Sequence, residues 1–272
     1  MRILGGLTLA LVLAAAAGCG ASAPLTATHL AKAEAQAQAE AKAKPSPRLG
    51  PARHTFVTTT RSLARAPRPT RGRARSTSVS EPKIIWDPIP FGAKRKSETA
   101  AYARRHYGSF MKPTWRLVTP RVIVIHYTDA SYSATVNTFA NDVPDAELHE
   151  LPATSAHFVI DSSGAIHQLV SLGTMARHTV GLNWTAVGIE HVGFSDAQVL
   201  GDHAQITASL QLVHWLRCRL HIPVRNVIGH AESLSSPYHH EDVPSLRTQT
   251  HGDFVHADMN VYRERLRALG GC

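Results

Sequence analysis

Five short runs rich in β-branched and aromatic residues set the limits on what this chain can fold into: RVIVIHY (121–127), AHFVI (156–160), AIHQLV (165–170), AVGIEHV (186–192) and RNVIG (225–229). Each has the length of a strand, and Asp161-Ser-Ser-Gly164 between the second and third is a turn signal that makes those two a hairpin. A different period separates the fourth from the fifth. Ile206, Leu210, Val213, Leu216 and Leu220 recur every three or four residues, which is one face of an amphipathic helix over 203–220. SETAAYARRHYGSF (97–110) reads as a short helix and ADMNVYRERLRAL (257–269) as a closing one. KIIWDPIPFGAKRK (83–96), with two prolines and no clean period, reads as an ordered lead-in rather than a helix. Strands interleaved with helices predict an α/β fold, a single domain with a central mixed β-sheet flanked by α-helices.

Charge is distributed unevenly along the 272 residues. Residues 1–80 hold twelve Lys/Arg against two Asp/Glu, leaving seventeen against eighteen in 81–272, so the formal charge of +9 belongs almost wholly to the N-terminal part. The folded part is near neutral, which argues against a nucleic-acid binder. MRILGGLTLALVLAAAAGCGASA has one Arg, an apolar run too short for a comfortable membrane span, and then small residues, the layout of a secretory signal peptide. Cys19, directly after Ala16-Ala17-Gly18, resembles the lipobox cysteine of bacterial lipoproteins, which is lipidated and becomes the new N-terminus. Residues 20–80 are Ala/Gln/Lys-rich and then Arg/Pro/Thr/Ser-rich, with few large apolar side chains to offset ordering entropy, and are expected to form a disordered basic tether. The expected organisation is a signal over 1–19, the tether over 20–80, a lead-in over 81–116 and a domain over 117–272, held at the extracytoplasmic face of a membrane by the lipid on Cys19.

Side chains alternate along a strand, so Val122, Val124 and His126 share one face and the imidazole stands at the carboxyl end of its strand. Open α/β sheets place their ligand sites there. His230 follows RNVIG in the same way, within GHAE. Either histidine alone is ordinary filler; two at matching strand ends look like metal ligands, and neutral imidazole suits zinc. A catalytic zinc needs a third protein ligand and one open position, and QTHGDF (249–254) offers Asp253 on a Gly-containing loop. SPYHHED (236–242) leaves His239, His240 and Asp242 as competitors for that third place. Glu190 interrupts an apolar run, where an unpaired charge is costly, so a working role is favoured over a surface one.

IVIHYT, SAHFVIDSSGAIHQLV, AVGIE, IGH and HGDF, in that order over roughly residues 117–269, resemble the zinc-dependent N-acetylmuramoyl-L-alanine amidases of the type 2 family, relatives of phage amidase lysozymes and peptidoglycan-recognition proteins. The lead-in WDPIPFGAKRK looks like an extension carried by a bacterial subgroup of these amidases. The resemblance implies that His126, His230 and Asp253 hold Zn2+ and that Glu190 activates the attacking water. It implies that His251, where the family often has Lys, serves as a donor to the oxyanion, and that Tyr127, His157 and His178 line the substrate groove. The implied reaction is hydrolysis of the amide between N-acetylmuramic acid and the L-alanine of the stem peptide, in peptidoglycan or muropeptides, by a monomer. The alternative is a catalytically inactive peptidoglycan-binding module of the same fold. Apart from Cys19, the cysteines are Cys218, on the amphipathic helix, and Cys272, just past the last one; both a disulfide and two separate thiols remain open.

Overall fold

Ile123 and Ile125 on one face and Val122 and Val124 on the other are all fully buried. Their strand, β2 (Val122–Tyr127), is therefore covered on both sides, as a central parallel strand must be. The computed structural model describes residues 79–272; the expected signal peptide, the Cys19 lipidation site and the tether up to residue 78 lie outside the described residues. Six strands form one sheet. They are β1 (Ile84–Trp86), β2, β3 (Phe158–Ile160), β4 (Ile166–Gln168), β5 (Ala186–His191) and β6 (Val227–Gly229), in the order β1-β4-β3-β5-β2-β6. Only β3 and β4 run antiparallel, as the hairpin predicted around Asp161–Gly164, so the sheet is mixed as expected.

One face of the sheet, built from Ile123, Ile125, Phe158, Ile160 and Ile189, packs against Leu212, Val213 and Leu216 of α4 and Tyr262 and Leu266 of α5. The α4 helix (His203–Leu220) has the predicted bounds because Asp202 caps it, its carboxylate accepting from the Ala204 and Gln205 amides at 3.0 Å each. The α5 helix spans His256–Ala268. On the opposite face Val122, Val124, Ala186 and Ile228 lie under Leu182 and Tyr238, which come from connecting segments.

The lead-in differs from its expectation. Ile84–Trp86 is a strand, pairing in parallel with β4, and α1 (Ala93–Tyr107) begins ahead of Ser97 and stops before Gly108. Arg95 explains the early start. Its guanidinium is buried and donates to the carbonyls of Phe139 (2.7 Å) and Ala153 (3.1 Å), so a tertiary contact fixes the first turn. Two short helices, α2 (Tyr132–Ala140) and α3 (Asp196–Gly201), escaped the periodicity and are set by caps instead: Ser131 Oγ accepts from Ala134 N and Ser195 Oγ from Gln198 N. Cys218 of α4 and Cys272 form a disulfide, with Cα atoms 5.2 Å apart, which decides between the two readings left open by the sequence. Among the described residues no helix is long and apolar enough to cross a membrane.

Candidate metal centre

Three segments converge at the carboxyl ends of β2, β5 and β6. Register pairs His126 with Glu190 across β2 and β5, so both side chains rise from the same face of the sheet. Ile125 pairs with Gly229, which sets His230 beside His126 at the end of β6. The third segment, carrying Asp253, folds back over β6 because Gly229 has no side chain. A Cβ there would lie 1.8 Å from the Phe254 carbonyl oxygen. Asp196 fixes the same loop by accepting from the Phe254 and Val255 amides at 2.7 and 2.9 Å, and the Ala231 amide donates to the Asp253 carbonyl at 3.0 Å. Phe254 is held with φ 56° while its ring is fully buried. Gly229→Ala is therefore expected to destabilise the protein by about 1–3 kcal/mol and to displace Asp253. Denaturant unfolding together with a zinc titration measures both effects, and an unaltered variant would disprove the contact's importance.

The resulting geometry is tight. Asp253 Oδ2 lies 2.9 Å from His126 Nδ1, and Oδ1 lies 3.3 Å from His230 Nδ1. Among the described residues, His126, His230 and Asp253 form one group able to hold a metal ion, with their ligand atoms all within 4.8 Å of one another. All three are buried. Donors bound about 2 Å from a tetrahedral zinc lie roughly 3.3 Å apart, so two imidazoles and a carboxylate at these spacings fit that ion. Around the cluster, His230 Nε2, His178 Nε2 and Glu190 Oε2 are buried without a hydrogen-bond partner.

Electrostatics separates the carboxylates. Burial raises the Asp253 pKa, but hydrogen bonds from His126 and His230 outweigh this and hold the carboxyl well below its ordinary range. Glu190 receives no such bonds. Burial pushes its carboxyl up to about 7, with His126 opposing and Asp253 reinforcing the rise. Burial works against charge on His126, yet Glu190 and Asp253 together leave its pKa raised, whereas His230 is lowered to about 4, chiefly by burial.

An open groove of about 410 Å³ runs past this cluster, and Tyr127, His178, Glu190 and His251 line it. His178 approaches because Gly188 leaves room; a Cβ there would sit 2.6 Å from its ring. Its Nδ1 lies 3.1 Å from His126 Nε2. His251 stacks on His230 with ring centroids 4.7 Å apart, and its Nε2 donates to Glu147 at 2.9 Å. His157 is a correction. It is fully buried away from the groove, donating from Nε2 to the Thr174 carbonyl (3.0 Å) and accepting at Nδ1 from the Gly188 amide (3.1 Å). Both ring nitrogens are thus spent on backbone. The competitors for the third ligand also sit elsewhere: His239 packs on Gly181, while His240 and Asp242 join each other and Ser109. Sequence reasoning missed Asp196, Glu147 and His191; His191 lies within the AVGIEHV run but was given no role there, and each is identified only by its partner in space.

A profile of the family described as N-acetylmuramoyl-L-alanine amidase matches residues 116–250, a span that contains His126, Glu190 and His230 and stops just short of Asp253. Solved structures that align with this chain include an endolysin N-acetylmuramoyl-L-alanine amidase from Clostridium intestinale URNW, at 17% identity and TM-score 0.42 over 70% of this chain and 97% of its own. A selenomethionine derivative of AmpD aligns at 17% identity and TM-score 0.42 over 68% of this chain and 97% of that one. The N-acetylmuramyl-L-alanine amidase AmiD from E. coli, in complex with the substrate anhydro-N-acetylmuramic acid-L-Ala-D-gamma-Glu-L-Lys, is 26% identical over 42% of this chain and 50% of its own, at TM-score 0.33. Comparison with curated proteins finds no match.

Proposed function

We propose that this chain is a peptidoglycan hydrolase cleaving the amide between N-acetylmuramic acid and the L-alanine of the stem peptide, with zinc held by His126, His230 and Asp253. The observation that carries this reading is the buried two-imidazole, one-carboxylate cluster opening on a groove, with both imidazoles inside the segment that matches the amidase family and Asp253 just beyond its end. Zinc, when bound, would supply Lewis-acid polarisation of water and of the scissile carbonyl.

The chain's own residues account for the remaining steps. Glu190 Oε2 takes a proton from the attacking water and passes it to the departing amide nitrogen; burial raises its proton affinity and so favours the first of these transfers. His251 donates to the oxyanion that develops on the carbonyl. Tyr127 and His178 contact the substrate along the groove. The enzyme works as a monomer in the cell envelope, outside the cytoplasm, anchored through a lipid on Cys19. The signal-like N-terminus and the Cys218–Cys272 disulfide both suit that oxidising compartment.

Purified peptidoglycan incubated with the full-length protein is expected to yield new L-alanine N-termini, with about one zinc per chain and release abolished by a chelator. Zinc binding without release, from wall or from soluble muropeptides, would instead favour the catalytically silent binding module.

A further inference from the structure

His191 ends β5 beside Glu190 and points to the other face of the sheet, away from the groove. It is fully buried, as are Ser209 of α4 and Tyr262 of α5. The three form a chain: His191 Nδ1 lies 2.8 Å from the His126 carbonyl oxygen, His191 Nε2 lies 2.7 Å from Ser209 Oγ, and Ser209 Oγ lies 2.7 Å from the Tyr262 hydroxyl. A carbonyl can only accept, so Nδ1 donates to it. Nε2 of the neutral ring then accepts from Ser209, whose oxygen in turn accepts from Tyr262. The carbonyl thereby fixes the tautomer, and the hydroxyls bond the ring nitrogen that it leaves free. The same imidazole packs against the Phe254 ring, with centroids 5.7 Å apart, and Phe254 follows Asp253 directly.

We propose that His191 is a positioning residue for the metal centre: it grips the His126 carbonyl and backs the Phe254 ring, and so sets His126 and Asp253 relative to each other. This rests on the reading of the cluster as a metal site. Through Ser209 and Tyr262 the setting extends to both helices behind the sheet, including α5, which starts just after the Asp253 loop. Supporting residues of this kind commonly change metal affinity or activity by about 10- to 100-fold when removed.

The test is zinc affinity of the full-length protein, measured by competition with a chromogenic chelator, alongside the melting temperature without zinc. His191→Leu is expected to bind zinc about 10- to 100-fold more weakly, with kcat reduced and KM little changed. His191→Asn, whose amide nitrogen stands where Nδ1 was, should recover most of the affinity. His191→Gln, whose amide reaches towards Ser209, should not. Ser209→Ala, a small change that leaves the buried Nε2 of His191 without its partner and so loosens the ring, should weaken zinc roughly tenfold and serves if the His191 variants do not fold. Wild-type affinity in His191→Leu or in Ser209→Ala, or equal rescue by Asn and Gln, would overturn the proposal. A wild-type protein that binds no zinc would instead overturn the metal-site reading on which the proposal rests.

Discussion

Glu190→Gln is expected to slow release of L-alanine N-termini by about 10²- to 10⁴-fold, the usual contribution of a positioned general base. That corresponds to roughly 3–5.5 kcal/mol of transition-state stabilisation. The substitution keeps the size and hydrogen-bonding shape of the side chain but removes the oxygen that accepts a proton. Glu190 Oε2 is buried without a partner, so the loss falls on chemistry rather than on a structural bond. Burial also works against the ionised carboxylate, so the neutral amide should leave the melting temperature unchanged or higher. Zinc content should stay the same, because Glu190 stands outside the His126–His230–Asp253 group. The decisive comparison is kcat for the two proteins at matched zinc occupancy. A variant within threefold of wild type would remove Glu190 from the mechanism and direct attention to His178, which lines the same groove.

How much of this was legible in the sequence depends on the distance over which each feature is decided. The α4 helix is legible from its apolar period, which is local, and the Asp202 cap that the structure adds lies in the adjoining residue. β2 is legible because β-branched side chains fill both faces of a covered strand, and β5 because Val187 and Ile189 mark the face turned to the helices. β1 was not: three residues beside two prolines carry no period, and only pairing with β4 makes them a strand. The centre divides in the same way. His126 and His230 follow from the strand-end rule, since alternation and strand length fix where each imidazole emerges. The meeting of Asp253 with them depends on Gly229 admitting the Phe254 carbonyl and on Asp196 holding two amides from a distant segment. Neither contact has a sequence signature. His157 shows the opposite error. Its place in SAHF suggested a polar groove residue, yet a buried imidazole with two backbone partners satisfies the same pattern.

Replacing both Cys218 and Cys272 with Ser is expected to cost about 4 kcal/mol of stability. The bond closes a loop with a sequence separation of 54, and a cross-link of that span removes about this much loop-closure entropy from the unfolded chain. Neighbouring contacts keep the tail near its place when the bond is absent, because Arg217 donates to the Gly270 carbonyl at 2.9 Å and His214 meets the Gly271 carbonyl at 3.3 Å. Hence the folded state changes little and the effect lies in the unfolded one. Denaturant unfolding of the oxidised wild type against the double variant measures the difference, and a loss below about 1 kcal/mol would show that the unfolded chain is already constrained there. The site should report the loss only on heating. α5 runs from just beyond Asp253 to just before Cys272, and its Tyr262 docks on Ser209 of α4, the helix that carries Cys218. At 25 °C that packing holds the Asp253 loop without the cross-link, so zinc affinity and activity are expected to match wild type. Near the lowered melting temperature, α5 and the Asp253 loop should be lost together, and activity should fall over the same range as the unfolding signal.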